Sequence, residues 1–420
     1  MTSPVTLLDV DVAQPIPAVS AAHSTRAWML VRAFTEPLGE STVDFGPAGL
    51  SPARLAAHIE AQFGDAIRSR VAAAGGDPGQ GVPIGGVTVP GTPAYLAGRA
   101  QVLADAPPIT VVVCSREHPD ALRACLDSLV VQEYPNFRIL VVDNAPTTDD
   151  TAAVVAEFST VDYLREPRPG LSRARNAAVA ACPGDILAFT DDDVVADEYW
   201  LAEVARGLAE HPDADVLSGL ILPAELETQA QVWFEEFGGH SKGRGFTPAV
   251  FSPATAHLQH PLYPLPPYGT GANMVFRPGV IESFGGFDPA LGAGTPAMGS
   301  EDTHAFMKVL SSGGTVAYVP TALVRHYHRR DMDGLRTQLV GYGTGLTAAY
   351  ASLVRSDPRV LGSLLRLVPA ALRDLRGGSA QRESGLGPTF PRELLGANKH
   401  GMLRGPMAYF KGRRMLKGHV

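Results

Sequence analysis

The run GDILAFTDDD at residues 184–193 decides how this chain is read. Its first part, 185–190, has the apolar character of a short buried strand. It runs directly into Asp191, Asp192 and Asp193. Three adjacent carboxylates repel one another and lose hydration if buried unpaired. A divalent cation removes both costs, and oxygen-rich donor sets suit Mg²⁺ or Mn²⁺. The C-terminal end of a strand in an open α/β sheet is also where ligands bind. A solvated acidic turn would explain the three aspartates taken alone, so the flanking sequence has to decide.

Upstream, residues 109–114 (ITVVVC) form a continuous β-branched run, the pattern of a parallel strand buried on both faces. A helix over 119–132 follows, with Ala121, Leu122, Cys125, Leu129 and Val130 on its buried stripe. A strand at 137–142 ends at Asp143; a helix at 147–158, a strand at 161–164, a helix at 172–181 and a strand at 186–189 complete the series. Strands alternating with helices at this spacing predict a doubly wound α/β domain. Asp143 and Asp191–Asp193 then both follow strand C-termini and face one crevice. No G-x-G-x-x-G or G-x-x-x-x-G-K-[ST] follows the first strand. Phosphate must be handled by a metal and side chains instead of a glycine-rich cradle.

Before this domain, residues 1–24 read as a flexible arm, with Pro4, Pro15 and Pro17 and no sustained period. Residues 25–73 read as a small α+β unit: a strand at 28–34, a turn at Gly39–Ser41, a strand at 42–45, and a helix over 52–70 capped by Ser51. Residues 74–108 are rich in Gly and Pro and read as a linker. The catalytic domain is expected over 109–345, followed by a helical, basic tail over 346–420.

The composition is ordinary for a globular protein, 45% hydrophobic and 19% charged. A net charge of −8 argues against a nucleic-acid partner. The three cysteines have no metal-ligand spacing, and Cys114 and Cys182 read as core thiols of a reducing compartment. With no recognisable leader and no apolar run of spanning length, the expected location is cytoplasmic, either free or at the inner membrane face.

The segments ITVVVCSREHPDALRACLDSL, FRILVVDNAP and RPGLSRARNAAVAACPGDILAFTDDDVVADEYWL, then YGTGANMVFRP, GGFDPALG and GSEDTHAF, resemble in order those of family 2 glycosyltransferases. The resemblance spans roughly residues 108–345. It implies a GT-A fold, a Rossmann-like central sheet flanked by helices that binds a nucleotide sugar. It departs from the family at the end of the first strand, where Cys114–Ser115–Arg116 replaces a frequent Pro–Thr–Tyr.

On that resemblance the donor is a nucleoside-diphosphate sugar. Its contacts are expected from Ser115, Arg116, Glu117, Asp143, Gly170, Arg175, Asn176, Asp191, Asp192 and Asn273. Asp143 resembles the nucleoside carboxylate, with a strand-end cap as the rival explanation. Arg173 or Arg175 would pair with phosphate. The D-x-D motif implies Asp193 on a Mn²⁺ or Mg²⁺ ion, with His326 as a further ligand and His328 as its rival. The family's E-D pair implies Asp302 as general base, Glu301 second, at the start of a helix over 303–310; simple N-terminal capping is the alternative. One base and one displacement imply inversion.

Aromatic residues Trp233, Phe234 and Phe237 read as helix core or acceptor contacts, and 238–268 as a mobile loop over the site. The acceptor is a saccharide, a glycolipid or a natural product. In the tail, Leu361, Leu364, Leu365, Val368, Leu372 and Leu375 share a broad face, with Arg359, Arg366 and Arg373 beside it. From Arg392 onward seven Lys/Arg accompany one acid, Glu393, which suits a peripheral membrane contact as well as plain packing. Two other functions compete: a sugar-phosphate nucleotidylyltransferase, which would want a basic glycine-rich loop where CSREHPD stands, and a non-catalytic scaffold with the same fold.

Overall fold

The β-branched run forms β4 (Ile109–Ser115), buried along almost its whole length at the heart of a nine-stranded sheet. The computed structural model describes residues 4–77, 79, 81–241, 244–255, 262, 268–377, 386 and 390–417, without the side chains of 370–377. Ahead of β4 lie β1 (Thr6–Asp11), β2 (Arg26–Ala33), β3 (Glu36–Asp44), α1 (Pro52–Ala73) and α2 (Ala94–Ala104). After it come α3 (Pro119–Leu129), β5 (Phe137–Asn144), α4 (Asp150–Ala156), β6 (Val161–Glu166), α5 (Leu171–Ala181) and β7 (Ile186–Asp191). β6, β5, β4 and β7 pair in parallel, as the alternating pattern predicts. Apolar clusters cover both faces: Leu122, Leu126 and Trp200 on one, Ala174, Phe189 and Phe287 on the other.

The second half is mixed. It runs through β8 (Val194–Ala196), α6 (Trp200–Glu210), β9 (Val216–Pro223), α7 (Gln229–Glu236), β10 (Ala249–Phe251), β11 (Met274–Phe276), α8 (Val280–Ser283), α9 (Glu301–Ser311) and β12 (Val316–His326). The sheet order is β10-β12-β9-β11-β7-β4-β5-β6, and β8 pairs with β12 off this path. β8 sets His326 opposite Val194, so the chain leaving the DDD run lies against the end of β12. Part of the 238–268 segment expected as a mobile loop lies outside the described residues; its described part includes β10, paired with β12.

The N-terminal expectations need three corrections. The arm is built into the fold: β1 pairs in parallel with β2, and Val5 bridges to Leu226. The hairpin turns at Phe34–Thr35, not at Gly39–Ser41, which lies within β3. The linker packs too, since Val82, Val87 and Val89 join the core under α1 and α2 places buried Arg99 on Glu203 of α6 at 3.1 Å. Arg32 bridges Asp9 and Asp197, and Arg325 reaches Asp9 at 2.9 Å. The N-terminal unit thereby braces the outer side of the β8–β12 pair.

After β12 come α10 (Met332–Ser356), α11 (Val360–Gly377) and α12 (Arg392–Lys417). Glycines let α10 and α12 meet backbone to backbone. A Cβ at Gly401 would overlap the carbonyl oxygen of Val340, and one at Gly343 that of Asn398. We expect Gly401→Val to force the helices apart, at roughly 1–3 kcal/mol by analogy with overpacked cores. Thermal unfolding and proteolysis of the C-terminus would register this. A wild-type melting curve with no new cleavage would refute the close packing.

Candidate active site

The ends of β4 and β7, the start of α9, the end of β12 and one face of α10 surround a cavity of about 820 Å³. Asp191, Asp192, Asp193, Glu301, Asp302 and His326 all line it. Residues more than a hundred positions apart thus converge as the strand-end argument predicts.

The three aspartates have different tasks. Asp192 turns toward β4, where Ser115 Oγ donates to it at 2.7 Å and His118 Nδ1 lies at 3.4 Å. Asp191 lies 3.4 Å from Arg175 Nη2. Burial pushes its carboxyl up to about 6, even against the pull of Arg175. Asp193 Oδ1 stands 3.1 Å from His326 Nε2. Burial alone would raise Asp193, but the imidazole outweighs it and holds the carboxyl near 2. His326 moves the other way, to about 9, because Asp193 overcomes its desolvation. The backbone carbonyl of Tyr327 lies 2.8 Å from His326 Nδ1, which places a proton there and aims Nε2 at the carboxylate. One donor atom each from Asp191, Asp193 and His326 falls within 4.8 Å of the others.

His328 does not share that position. Its Nε2 is 2.6 Å from Glu235, and its ring packs edge-on to Phe234. The two rings nevertheless stack, 5.9 Å between centroids, and His240, His326 and His328 each bring a ring nitrogen within 4.8 Å of the others. Phe234 belongs to the apolar cluster of α7 and α10, while Phe237 and His240 reach the cavity. His240, 4.3 Å from His326 ring to ring, carried no signal in the sequence beyond its type.

Asp302 opens α9 with both oxygens engaged: Oδ2 accepts from Gly271 N at 2.7 Å and Oδ1 from Thr303 N at 2.6 Å. The carboxylate is thereby oriented into the cavity. The preceding loop is strained, with Met298 and Ser300 both left-handed (φ 67° and 64°). Glu301 points inward and accepts from Arg175 Nη1 at 2.6 Å. Its desolvation raises it to about 7, and Arg175 opposes the rise. At this ion-pair distance we assign it the charged form, since Arg175 is otherwise a buried cation without full compensation.

Arg175, 2% exposed, is therefore occupied with Glu301, Asp191 and the Gly271 carbonyl, and is not a loose phosphate contact. Arg116 and Arg329 line the cavity instead. Replacing Arg175 by Met should strand the buried Glu301 carboxylate and the half-buried Asp191 and cost about 3 kcal/mol. Arg175→Met with Glu301→Gln should recover part of that loss. Denaturant unfolding of the two variants tests this, and equal stability of Arg175→Met and wild type would overturn it.

Other expected donor contacts fall elsewhere. Asn273 is buried under α6, accepting from Trp200 Nε1 at 3.0 Å and donating to the carbonyls of Leu220 and Ala322. The irregular register of β12 between Val319 and Leu323 leaves room for that amide to bridge. Asn176 is spent on both backbone groups of Phe287. Glu117 is half-buried outside the cavity and accepts from Thr147 N at 2.6 Å. Asp143 is fully buried behind the cavity, where Tyr163 donates to Oδ2 at 2.7 Å and Oδ1 lacks a partner among the described residues. Gly170 shapes the loop and does not line the cavity; its N–H donates to Asn144, a lining residue the sequence reading missed. Cys114, expected in the core, borders the cavity.

Residues 110–284 match the profile of Glycosyl transferase family 2. The chain carries a family 2 glycosyltransferase domain. Its relatives include the pre-mycofactocin glycosyltransferase of Mycobacterium tuberculosis, 26% identical over 239 residues, which are 56% of this chain and 46% of that protein. The chain thus spans about half the length of that relative. A second is the glucosyl-dolichyl phosphate glucuronosyltransferase of Haloferax volcanii, 23% identical over 54% of this chain and 72% of that protein. Among solved structures, a mannosyltransferase of Pyrobaculum calidifontis in complex with GDP-Man and Mn²⁺ superposes with TM-score 0.43 and 18% identity, over 77% of this chain and 83% of that one.

Proposed function

We propose that this glycosyltransferase domain moves a sugar from a nucleoside-diphosphate sugar to an acceptor hydroxyl with inversion at the anomeric carbon. One observation carries the reading: an anchored carboxylate, Asp302, and a convergent Asp191–Asp193–His326 donor set open onto one cavity, and Arg175 ties Asp191 to Glu301, the neighbour of Asp302. Asp302 takes the proton of the acceptor hydroxyl as that oxygen attacks. Asp193, His326 and Asp191 would hold a divalent metal, and their mixed carboxylate and imidazole donors suit Mn²⁺ better than Mg²⁺. Such an ion supplies charge stabilisation to the departing diphosphate. Arg116 and Arg329 add positive charge on the same cavity wall. The acceptor meets Phe237, Tyr342 and Met402, a surface that suits a saccharide, glycolipid or natural product with an apolar or ring face.

A panel of nucleotide sugars, assayed for nucleoside-diphosphate release with Mn²⁺, with Mg²⁺ and with EDTA, tests the reading. Metal-dependent release from one donor is expected. Pyrophosphate release would assign a nucleotidylyltransferase instead. Absence of both turnover and metal-dependent nucleotide binding would leave a scaffold.

A further inference from the structure

The helix α12 has two unlike faces. Leu394, Asn398, Gly401, Gly405, Tyr409 and Gly412 are buried on one side. On the opposite side, Leu403, Met407 and Phe410 follow i, i+4, i+7 spacing and stand 81%, 76% and 51% exposed. Exposed large side chains of this kind are unremarkable singly, but a stripe opposite the packed face is not. Basic residues flank the stripe: Lys399 and Arg413 to one side, Arg404 and Lys411 to the other, with Arg414 and Lys417 at its end. The single acid of the helix, Glu393, faces Arg336 at 3.3 Å. This surface belongs to a chain of net charge −8.

A cavity of about 290 Å³ lies at the C-terminal end of the stripe, lined by Arg355, Phe410, Arg413, Arg414 and Lys417. Four cations around one phenyl ring suit a phosphate attached to an apolar body. On α11, Leu361, Leu365 and Val368 form a second exposed stripe beside exposed Arg366. No helix among the described residues is long and apolar enough to cross a membrane.

We propose that α12 lies in the interface of an anionic phospholipid bilayer, with Leu403, Met407 and Phe410 among the acyl chains and a lipid phosphate in the four-cation cavity. Charge complementarity selects this occupant. A neutral protein partner would not call for seven Lys/Arg in one helix of an acidic chain, whereas an anionic leaflet attracts them. The arrangement has a consequence for the site. Asn398 and Met402, on the same helix, line the main cavity, so docking holds that cavity close to the lipid surface. The inference does not depend on the reaction proposed above.

The test is co-sedimentation of the full chain with vesicles of phosphatidylcholine alone and of phosphatidylcholine with phosphatidylglycerol. Binding to the anionic vesicles, weakened by salt, is expected. Met407→Glu and Leu403→Glu replace side chains that touch little of the fold, and each should lower the partition by about tenfold or more. Arg413→Glu with Arg414→Glu should do the same without removing apolar surface. The four-cation cavity adds a finer expectation: at equal ionic strength, inorganic phosphate should displace the bound chain more effectively than chloride, and equal displacement would remove the lipid phosphate from that cavity. Failure to bind anionic vesicles, or binding indifferent to all these substitutions, would overturn the proposal. So would a lipid-independent dimer, seen by light scattering and lost in Met407→Glu, which would give the stripe to a second copy of the chain.

Discussion

Asp302→Asn should lower turnover about a thousandfold, within the range that a positioned general base supplies, while leaving donor binding within a fewfold of wild type. Asparagine has nearly the volume of aspartate and can still accept from one of the two backbone donors, Gly271 N and Thr303 N. It cannot take a proton. The effect therefore falls on the chemical step and not on nucleotide affinity, which isothermal titration with a non-reacting nucleoside diphosphate would verify. Glu301→Gln is the matching control. Glu301 is tied to Arg175 at 2.6 Å and faces away from solvent, so its substitution should reduce stability more than it reduces turnover. A Glu301→Gln enzyme that is dead and folded, beside an active Asp302→Asn, would exchange the two roles.

The sequence carried the core of the fold and left its edges hidden. β4 and β5 were readable because a strand buried on both faces must be continuously apolar, and both ran within one or two residues of expectation. β1 was not, because Asp9 and Asp11 break its pattern. Both acids answer to distant partners: Asp9 to Arg32 and Arg325, Asp11 to the backbone N–H groups of Phe34 and Thr35. The same Asp11 contacts explain the misplaced hairpin. Non-glycine residues at φ 54° and 67° do not announce a turn. Here a carboxylate from another strand stabilises it.

The site divides along similar lines. Asp191, Asp193, Asp302 and His326 were legible as types at strand and helix ends, and they converge. Asn273 and Asn176 were misjudged because an amide near a ligand crevice and an amide that bridges backbone look alike in one dimension. Arg175 was placed at the cavity but given the wrong task. Its partners Glu301 and Asp191 lie 126 and 16 residues away, and only the folded chain shows that both claim it. His240 and Asn144 were invisible because nothing in their neighbours marks them.

The pair Asp193 and His326 should behave as one unit. Asp193→Ala and His326→Ala should each reduce metal-dependent turnover by about a hundredfold or more, since a bound ion supplies several kcal/mol to a developing anion. The double variant should be little worse than the poorer single one, because both remove the same ion. Independent, multiplying losses would show that the two residues do not share a ligand.

The chelated protein gives a second reading of the same pair. His326 is held at about 9, above its ordinary value near 6.5. Its contribution to stability is therefore full below about pH 6.5 and is lost as pH rises through 9, with an upper bound on the order of 3 kcal/mol. Asp193, held near 2, loses its share only in acid, as pH falls from about 4 toward 2. Metal must displace the His326 proton before Nε2 can ligate. Apparent Mn²⁺ affinity should thus rise roughly tenfold per pH unit between about 6.5 and 9, with release of one proton. His326→Ala should flatten that slope. If titration of wild type and His326→Ala gave the same pH slope, His326 would have no place among the metal ligands, and Asp191 and Asp193 would have to hold the ion without it.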